Sequence, residues 1–187
     1  MKKKKCGWCL GDAQYEQYHD TEWGVPVYDD QTLFEFLILE SMQAGLSWIT
    51  VLRKRNNYRK ALDHFNVDKI AQYDESKVQE LMNNSGLIRH ELKVRSIIKN
   101  AIAFRKVQEK HGSFSKYIWN FADHEPIKNK VKSYHSSPSR TPLSDRITKD
   151  LKKNGFKFVG SVTIYAYMQA IGMVNDHEVS CFRYDEV

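Results

Sequence analysis

The sequence lacks any apolar run of the ~18 residues that a membrane-spanning helix requires, and it therefore predicts no such helix. The lysines near its start are not followed by a long apolar segment, which argues against a signal peptide. Cysteine occurs only three times, an odd number that is too small for a disulfide-stabilised scaffold of 187 residues. A reducing, cytoplasmic location is the simplest interpretation.

The alternation of apolar and polar residues that is typical of half-buried strands does not recur along the chain. No internal repeat and no strand–helix–strand spacing is visible either. Hydrophobic residues make up 41% of the chain, which is enough for a sizeable core and excludes a disordered protein. We therefore predict an all-α fold with a single domain over residues 1–187.

Acidic residues are in the minority, and the net charge of +6 comes from 29 basic and 23 acidic side chains. Most of the surplus lies in the lysine run at residues 2–5, so residues 1–5 are expected to form a disordered, solvated tail. The remaining surplus favours a polyanionic partner only weakly.

One predicted helix, residues 33–44, is apolar on nearly every side and is expected to be buried. It contains Glu40. An unpaired carboxylate there would cost several kcal/mol or take up a proton, so Glu40 needs a partner or a pocket. On these residues alone, an acid satisfied by backbone amides or a nearby cation is favoured over a pocket acid. Gly45 ends the helix, and Ser47 is expected to cap the next one, which Trp48 opens.

Apolar periodicity and polar cap residues predict further helices. Their ranges are 47–65, 69–72, 75–84, 91–110, 113–121, 144–154 and 159–173, with caps at Asp29 or Asp30, Asp68, Asp74 and Ser144. Residues 125–143 contain three prolines and five basic side chains without clear periodicity. They are predicted to form a mobile surface loop.

The turn at residues 86–93 lies between two predicted helices. Such a turn can aim backbone amides at a phosphate, helped by the positive end of the following helix. Arg89, His90, Lys93 and Arg95 add charge beside it. Because the turn lacks a second glycine, an ordinary corner between two helices is favoured at this stage.

Cysteine and histidine cluster at the two ends of the chain, with Cys6 and His19 near the start and His177 and Cys181 near the finish. Two thiolates and two imidazoles are the ligand set of a closed, structural zinc site, which would tie the termini together. Spacing alone does not establish such a site. Cys6 and Cys9 also form a C-x-x-C pair, but the strand–helix–strand setting of a redox-active pair is missing.

Several longer motifs carry a resemblance to a known family. They are Cys6-Gly7-Trp8, Tyr15, Tyr18-His19-Asp20, Glu22-Trp23-Gly24-Val25-Pro26, Leu39-Glu40, Gln43-Ala44-Gly45-Leu46-Ser47-Trp48, Gly86-Leu87-Ile88-Arg89-His90, Gly155-Phe156-Lys157-Phe158-Val159-Gly160 and Asn175-Asp176-His177. They closely resemble bacterial 3-methyladenine DNA glycosylase I. The match runs from Cys6 to Cys181 and is weakest in residues 125–143.

The resemblance implies a helix-hairpin-helix DNA glycosylase-like fold, with two helical lobes around a base pocket and the termini tied by zinc. It implies one structural Zn²⁺ held by Cys6, His19, His177 and Cys181. Glu40 would be the catalytic residue, and the base-binding residues would be Glu40, Tyr18, Trp48, Trp8, Tyr15 and Trp23. DNA would be contacted by Gly45, Leu46, Gly86, Arg89 and Lys93. Two features depart from the family pattern: the cysteine at position 9 and the lack of paired hairpin glycines.

The resemblance also implies a monomeric enzyme that flips 3-methyladenine out of double-stranded alkylated DNA and releases the free base by hydrolysis, without strand cleavage. Methylation at N3 gives the base a positive charge, and aromatic faces attract such a cation by about 0.5–2 kcal/mol per contact. With the family in view, the pocket interpretation of Glu40 becomes the favoured one. A zinc-stabilised, non-catalytic DNA-binding module remains the alternative.

Overall fold

Helices make up most of the chain, as the sequence predicts. The computed structural model describes residues 3–187, which form nine α-helices and two short strands. The helices are α1 (Ala13–Thr21), α2 (Asp30–Gln43), α3 (Trp48–Ala61), α4 (Val67–Ile70), α5 (Glu75–Asn83), α6 (Glu91–His111), α7 (Phe114–Trp119), α8 (Pro142–Lys153) and α9 (Ser161–Ala170). The strands are β1 (Ile127–Lys128) and β2 (Val174–Asn175).

Helix α2 lies at the centre of the fold. All of its residues from Leu33 to Met42 are buried, because α3, α6, α7 and α9 pack around it. The Asp29 carboxylate accepts a hydrogen bond from the Thr32 amide and caps the helix. Asp30 instead accepts from the amides at the start of α7, at 2.9 and 2.7 Å. The prediction of a buried helix at this position is confirmed.

The caps of three other helices differ from the predicted ones. Ser47 occupies the N-cap position of α3, but its side chain makes no hydrogen bond to the helix backbone. Asn66, and not Asp68, caps α4, and Thr141 caps α8 with Ser144 as the third helical residue of a capping box. In both cases two polar residues lie within one turn, so the sequence leaves the choice of cap open.

The prediction of one helix over residues 47–65 is wrong at its end. The chain leaves the helical conformation after Ala61, and Asp63, His64 and Phe65 take positive φ angles of 47°, 56° and 58°. The turn directs the chain into α4.

Residues 125–143 lie mostly at the surface, as their composition predicts, but they include regular structure. They contain β1, which pairs in parallel with β2 so that Ile127 lies opposite Val174. A further bridge joins Val131 to Glu178. The strands are distant in sequence and only two residues long, too short to show an alternating pattern.

The predicted disordered tail is also corrected in part. Residues 1–2 lie outside the described residues. The Lys4 carbonyl accepts a hydrogen bond from the Phe182 amide at 2.9 Å. The Lys5 ammonium group lies 2.8 Å from Glu16 and 2.7 Å from Asp20.

The buried apolar side chains of residues 3–187 form one contiguous core. Within the same residues, we find no helix whose length and apolar character suffice to span a membrane.

Candidate active site and metal centre

A cavity of about 240 Å³ lies beside the C-terminal half of α2. All six side chains to which the resemblance assigns a base-binding role line it. The remaining lining residues come from α2, from α9 and from the segments beside β1 and β2. The full lining is Trp8, Tyr15, Tyr18, Trp23, Glu40, Gln43, Trp48, Tyr134, Ser137, Ala166, Gln169 and Asp176.

The aromatic walls of the cavity support one another. Tyr15 and Tyr18 lie three residues apart on α1, so both point from the same face of that helix. The Trp8 ring lies edge-on to Tyr15 with centroids 4.8 Å apart and edge-on to Trp23 at 4.9 Å, while Tyr18 and Trp48 are 5.4 Å apart. Such contacts fix the ring planes and leave a slot suited to a flat ligand.

Glu40 is the one acid of α2 that reaches this cavity, and it is only 4% exposed. Its Oε2 atom has no hydrogen-bond partner in the described part of the chain. Loss of solvation on burial raises the pKa of the carboxyl group to about 8. The interpretation of Glu40 as an acid satisfied by backbone amides or a cation is therefore wrong.

Two indole N–H groups at the cavity are, like Glu40 Oε2, buried without a hydrogen-bond partner within residues 3–187. The Nε1 atoms of Trp8 and Trp48 are buried and have no acceptor among the described residues. Each buried, unpaired polar group costs about 1–3 kcal/mol, and native proteins keep few of them. Their presence on residues that line one cavity indicates a site that a polar ligand completes.

The raised pKa of Glu40 predicts that the site is costly to the fold. Folding raises the pKa of this carboxyl group from 4.5 to about 8, so between these pH values the unfolded chain is ionised while the folded protein keeps the proton. The contribution of Glu40 to the free energy of unfolding is therefore lowest above pH 8. Stability is lost as pH rises from 4.5 towards 8. We expect Glu40→Gln to be more stable than the wild type by about 3 kcal/mol at pH 7. Thermal unfolding across pH 4–8 measures this, and a stability difference that does not vary with pH would contradict it.

The corner between α2 and α3 presents an apolar side chain to solvent. Gly45 has a φ of +79°, a conformation that glycine adopts without strain, and Leu46 is 42% exposed. This corner follows Glu40 and Gln43 directly, so it lies close to the cavity. An exposed leucine at this position is suited to contact with a partner.

In the turn from α5 to α6, Lys93 does not have the surface position that the sequence predicts. Its side chain is buried, and its ammonium group donates to the carbonyls of Met42 and Ala44 at 2.9 and 2.6 Å. Lys93 therefore caps the C-terminus of α2 and does not present its charge at the surface, which corrects the prediction that it contacts DNA. A buried cation at a helix C-terminus is stabilised by the unpaired carbonyls there.

The other charges of this turn are only partly available. The Arg95 guanidinium group pairs with Glu75 at 2.7 Å and with Glu91 at 2.9 Å. Arg89 is exposed, and Gly86 packs against Asn57. The surface of the turn thus carries less free positive charge than its sequence indicates.

Cys6, His19, His177 and Cys181 meet in one buried cluster. One ligand atom from each lies within 4.8 Å of the others. The Cys181 sulfur is 3.4 Å from His19 Nε2 and 3.7 Å from His177 Nδ1, and the Cys6 sulfur is 3.6 Å from His177 Nδ1. Ligands of a tetrahedral zinc ion, bonded at about 2.0–2.3 Å, lie at such separations. The donor set and its spacing therefore fit zinc.

Outer contacts orient the two histidines of the cluster. His19 Nδ1 lies 2.8 Å from the Asp20 carboxylate, and His177 Nε2 lies 3.0 Å from the Trp23 carbonyl. These contacts leave the other ring nitrogen of each histidine to face the centre, as in known zinc sites. A Cβ atom at Gly24 would lie 2.9 Å from His177 Nε2, so only glycine fits beside this ring.

The two thiols of the cluster influence each other. A hydrogen bond between them lowers the pKa of Cys181 and raises that of Cys6. Cys9 lies outside the cluster and donates to the Cys6 carbonyl at 3.2 Å. Burial raises its pKa to about 11, which opposes the thiolate that redox chemistry requires.

Sequence reasoning missed the half of the cavity that comes from the C-terminal part of the chain. Gln169 donates to the Asp176 carboxylate at 2.7 Å, and Tyr134 and Ser137 reach the cavity from the segment after β1. Asp176 belongs to Asn175-Asp176-His177, one of the motifs on which the family resemblance rests, so the sequence did mark it. Tyr134 lies in a stretch with no periodicity and carried none.

A helical fold with an aromatic cavity and a desolvated acid is suited to hold an extruded base, as a DNA glycosylase must. The comparisons agree, since the model of the methyladenine glycosylase family matches residues 8–184. The chain belongs to the methyladenine glycosylase family.

Individual relatives are similar over almost their whole length. DNA-3-methyladenine glycosylase 1 of Escherichia coli is 45% identical over 97% of both chains, and DNA-3-methyladenine glycosylase of Haemophilus influenzae is 46% identical over 95% of this chain and 96% of its own. A solved structure of 3-methyladenine DNA glycosylase I has a TM-score of 0.93 at 46% identity and covers 96% of this chain and 98% of its own. The Staphylococcus aureus enzyme, solved to explain 3-methyladenine recognition, has a TM-score of 0.92 at 34% identity and covers 95% of both chains.

Proposed function

We propose that this protein excises 3-methyladenine from alkylated double-stranded DNA by hydrolysing the N-glycosidic bond, without cleaving the strand. The observation that carries the proposal is Glu40, a buried acid with an unpaired oxygen at the end of an aromatic cavity. The relatives named for this activity support the choice of base.

Glu40 is suited to a cationic base. When the methylated base enters, it supplies positive charge and an exocyclic amino group, and the carboxylate can accept a hydrogen bond from that group. The aromatic rings of Tyr18 and Trp48 add attraction to a cation. A neutral adenine would leave the desolvated carboxylate without a counter-charge, which would select against undamaged DNA.

The base must leave the helical stack to reach this cavity, at a cost of a few kcal/mol that is lower for damaged bases. We assign to the exposed Leu46 the role of filling the space that the base leaves, and Gly45 gives the corner its turn. We assign contacts with the DNA backbone to Gly86 and Arg89 in a helix-hairpin-helix formed by α5, the turn and α6.

The positive charge on the base weakens the glycosidic bond, so the enzyme needs to bind and orient rather than to activate a leaving group. Lysine is absent from the described residues that line the cavity. An amine that could form a Schiff base is therefore missing from the described lining of the cavity, which supports attack by water and an intact strand.

Cys6, His19, His177 and Cys181 would hold the zinc ion. With four protein ligands the ion supplies a structural cross-link and no open position for substrate. Because Trp8, Tyr18 and Trp23 lie within four residues of a ligand in sequence, we infer that the cross-link keeps the cavity walls in place. We further infer one glycosylase domain that acts as a monomer, in a reducing cytoplasm where its three free cysteines stay reduced.

The test is base release from methylated duplex DNA, with the products separated by chromatography and the strand examined on a denaturing gel. We expect release of 3-methyladenine, little 7-methylguanine, an intact strand and no trapping of a covalent complex by borohydride. If zinc-loaded, folded protein binds the duplex but releases no base, the alternative of a non-catalytic DNA-binding module replaces this proposal.

A further inference from the structure

Residues 130–137, the segment that follows β1, have no role in the function proposed above, although they reach the mouth of its cavity. Tyr134 and Ser137 line the cavity beside Trp8. Tyr134 is 38% exposed, whereas Tyr18 and Trp48 are 2% and 7% exposed. Tyr134 therefore lies at the rim, where the strand that carries an extruded nucleotide must pass.

Tyr134 forms a flat aromatic surface at this rim. Its ring lies over the His135 ring with centroids 3.9 Å apart and planes inclined by 34°. The Cε1–Cδ1 edge of the ring lies against Gly7, where a Cβ atom would be 2.8 Å from Cε1. Exposed aromatic rings of this kind stack on nucleic-acid bases without regard to their identity.

The charge of the segment matches a DNA strand. Residues 126–143 contain no acidic side chain. Lys130 and Lys132 are exposed, and neither forms an ion pair with any residue in the range 3–187. Lys130, Ser136 and Ser137 also line a second cavity of about 290 Å³, which shares Ser137 and Asp176 with the first. The Lys130 ammonium group and the Ser137 hydroxyl group are suitable donors for a phosphate, whereas the Ser136 hydroxyl already donates to the Ser133 carbonyl at 2.7 Å.

The segment is held firmly enough to act as a binding surface. The Val131 carbonyl accepts from the Val179 amide at 2.8 Å, and the Tyr134 amide donates to the Glu178 carboxylate at 3.0 Å. Asn129 donates to Asp176 at 2.6 Å. These contacts set the segment against the stretch that contains two of the metal ligands, so little ordering is needed on binding.

Binding of DNA depends on neutralised phosphates, and the α5–α6 turn offers few free charges for this. Lys93 is buried and Arg95 is paired with two glutamates. Positive charge from another part of the surface is therefore needed near the cavity. Among the described residues, the segment after β1 combines free lysines, an aromatic platform and a place at the rim.

We propose that residues 130–137 are a second DNA contact, which holds the strand bearing the extruded nucleotide. Tyr134, stacked on His135, packs against the nucleotide next to the extruded one, and Lys130 and Lys132 bind its phosphates. The inference rests on the proposed function in that it takes alkylated DNA as the partner.

The test measures affinity for a duplex that contains a stable abasic-site analogue, so it needs no catalysis. Tyr134→Ala should weaken binding about 5- to 10-fold, and Tyr134→Phe should keep it. The double variant Lys130→Gln/Lys132→Gln should lower the slope of log affinity against log salt by about 2. Its control is Lys106→Gln/Lys110→Gln at the far end of α6, about 22 and 28 Å along the helix from the turn, which should leave the slope within error.

Binding of free 3-methyladenine, measured by quenching of tryptophan fluorescence, distinguishes a role of Tyr134 in the cavity wall from a role in strand contact. If Tyr134→Ala weakens the free base as much as it weakens the duplex, Tyr134 is a wall of the cavity and the strand contact is wrong. An unchanged salt slope in the lysine variant would also overturn the inference. Wild-type protein that binds the duplex but releases no base would refute the proposed function alone.

Discussion

Glu40→Gln is expected to lower kcat/KM for release of 3-methyladenine by about a hundredfold, because a desolvated charge that faces the reacting cation is lost. The substitution keeps the size of the side chain and removes the negative charge that pairs with the base. It also leaves the aromatic walls in place. Steady-state release of base from methylated DNA measures the loss.

The pH profile separates this role from a structural one. Burial raises the pKa of Glu40 to about 8, and the carboxylate is the form that attracts the base. Between pH 6 and 8 the wild-type kcat/KM should therefore rise about tenfold per pH unit and then level off. The rise should be absent from the Glu40→Gln variant.

Glu109→Gln is the matched control. It makes the same chemical change on an exposed residue of α6 that does not line the cavity. It should retain wild-type activity at every pH. Glu40→Gln protein with wild-type activity and an unchanged profile would remove Glu40 from the reaction while leaving the family assignment intact.

Removal of the zinc ion that we assign to the cluster is expected to have the second large effect. Ligands near both termini close most of the chain into one loop, and zinc-binding free energy becomes folding free energy. We expect a strong chelator, or Cys181→Ser, to destabilise the protein by about 5 kcal/mol or more. Binding of free 3-methyladenine should be lost with it, because Trp23 contacts His177 through its carbonyl.

Cys9→Ser provides the control for this experiment. Its thiol is buried like those of Cys6 and Cys181 but lies outside the cluster, so the variant should keep one zinc ion per chain. Metal analysis and thermal unfolding of the wild type, Cys181→Ser and Cys9→Ser test which cysteines bind zinc. Purified wild-type protein without zinc, or a Cys9→Ser variant that loses it, would show the ligand assignment to be wrong.

Much of the site is readable in the sequence because it depends on local pattern. The apolar surround of Glu40 within one helix indicates a buried acid, and the structure places it in a cavity without a partner for Oε2. Tyr15 and Tyr18 share a face of α1 by spacing alone. The role of these residues as a base pocket came from the family resemblance and not from the pattern.

Charge was the least reliable guide. Lys93 and Lys5 read as surface cations in the sequence, yet one caps α2 from inside the fold and the other pairs with two carboxylates of α1. A lysine has the same appearance in the sequence whether its ammonium group meets water, a carbonyl or an acid. Only the position of the surrounding helices determines which of these it meets.

By itself, the sequence determined the helical class, the buried helix α2 with its acid, the long helix α6 and the lack of a membrane-spanning run. These follow from periodicity and composition within one stretch of chain, where neighbours in sequence are neighbours in space. Tertiary structure alone decided the pairing of β1 with β2, the approach of Tyr134 to the cavity and the meeting of Cys6 with Cys181. Each joins segments far apart in sequence, and only the packed core brings such segments together.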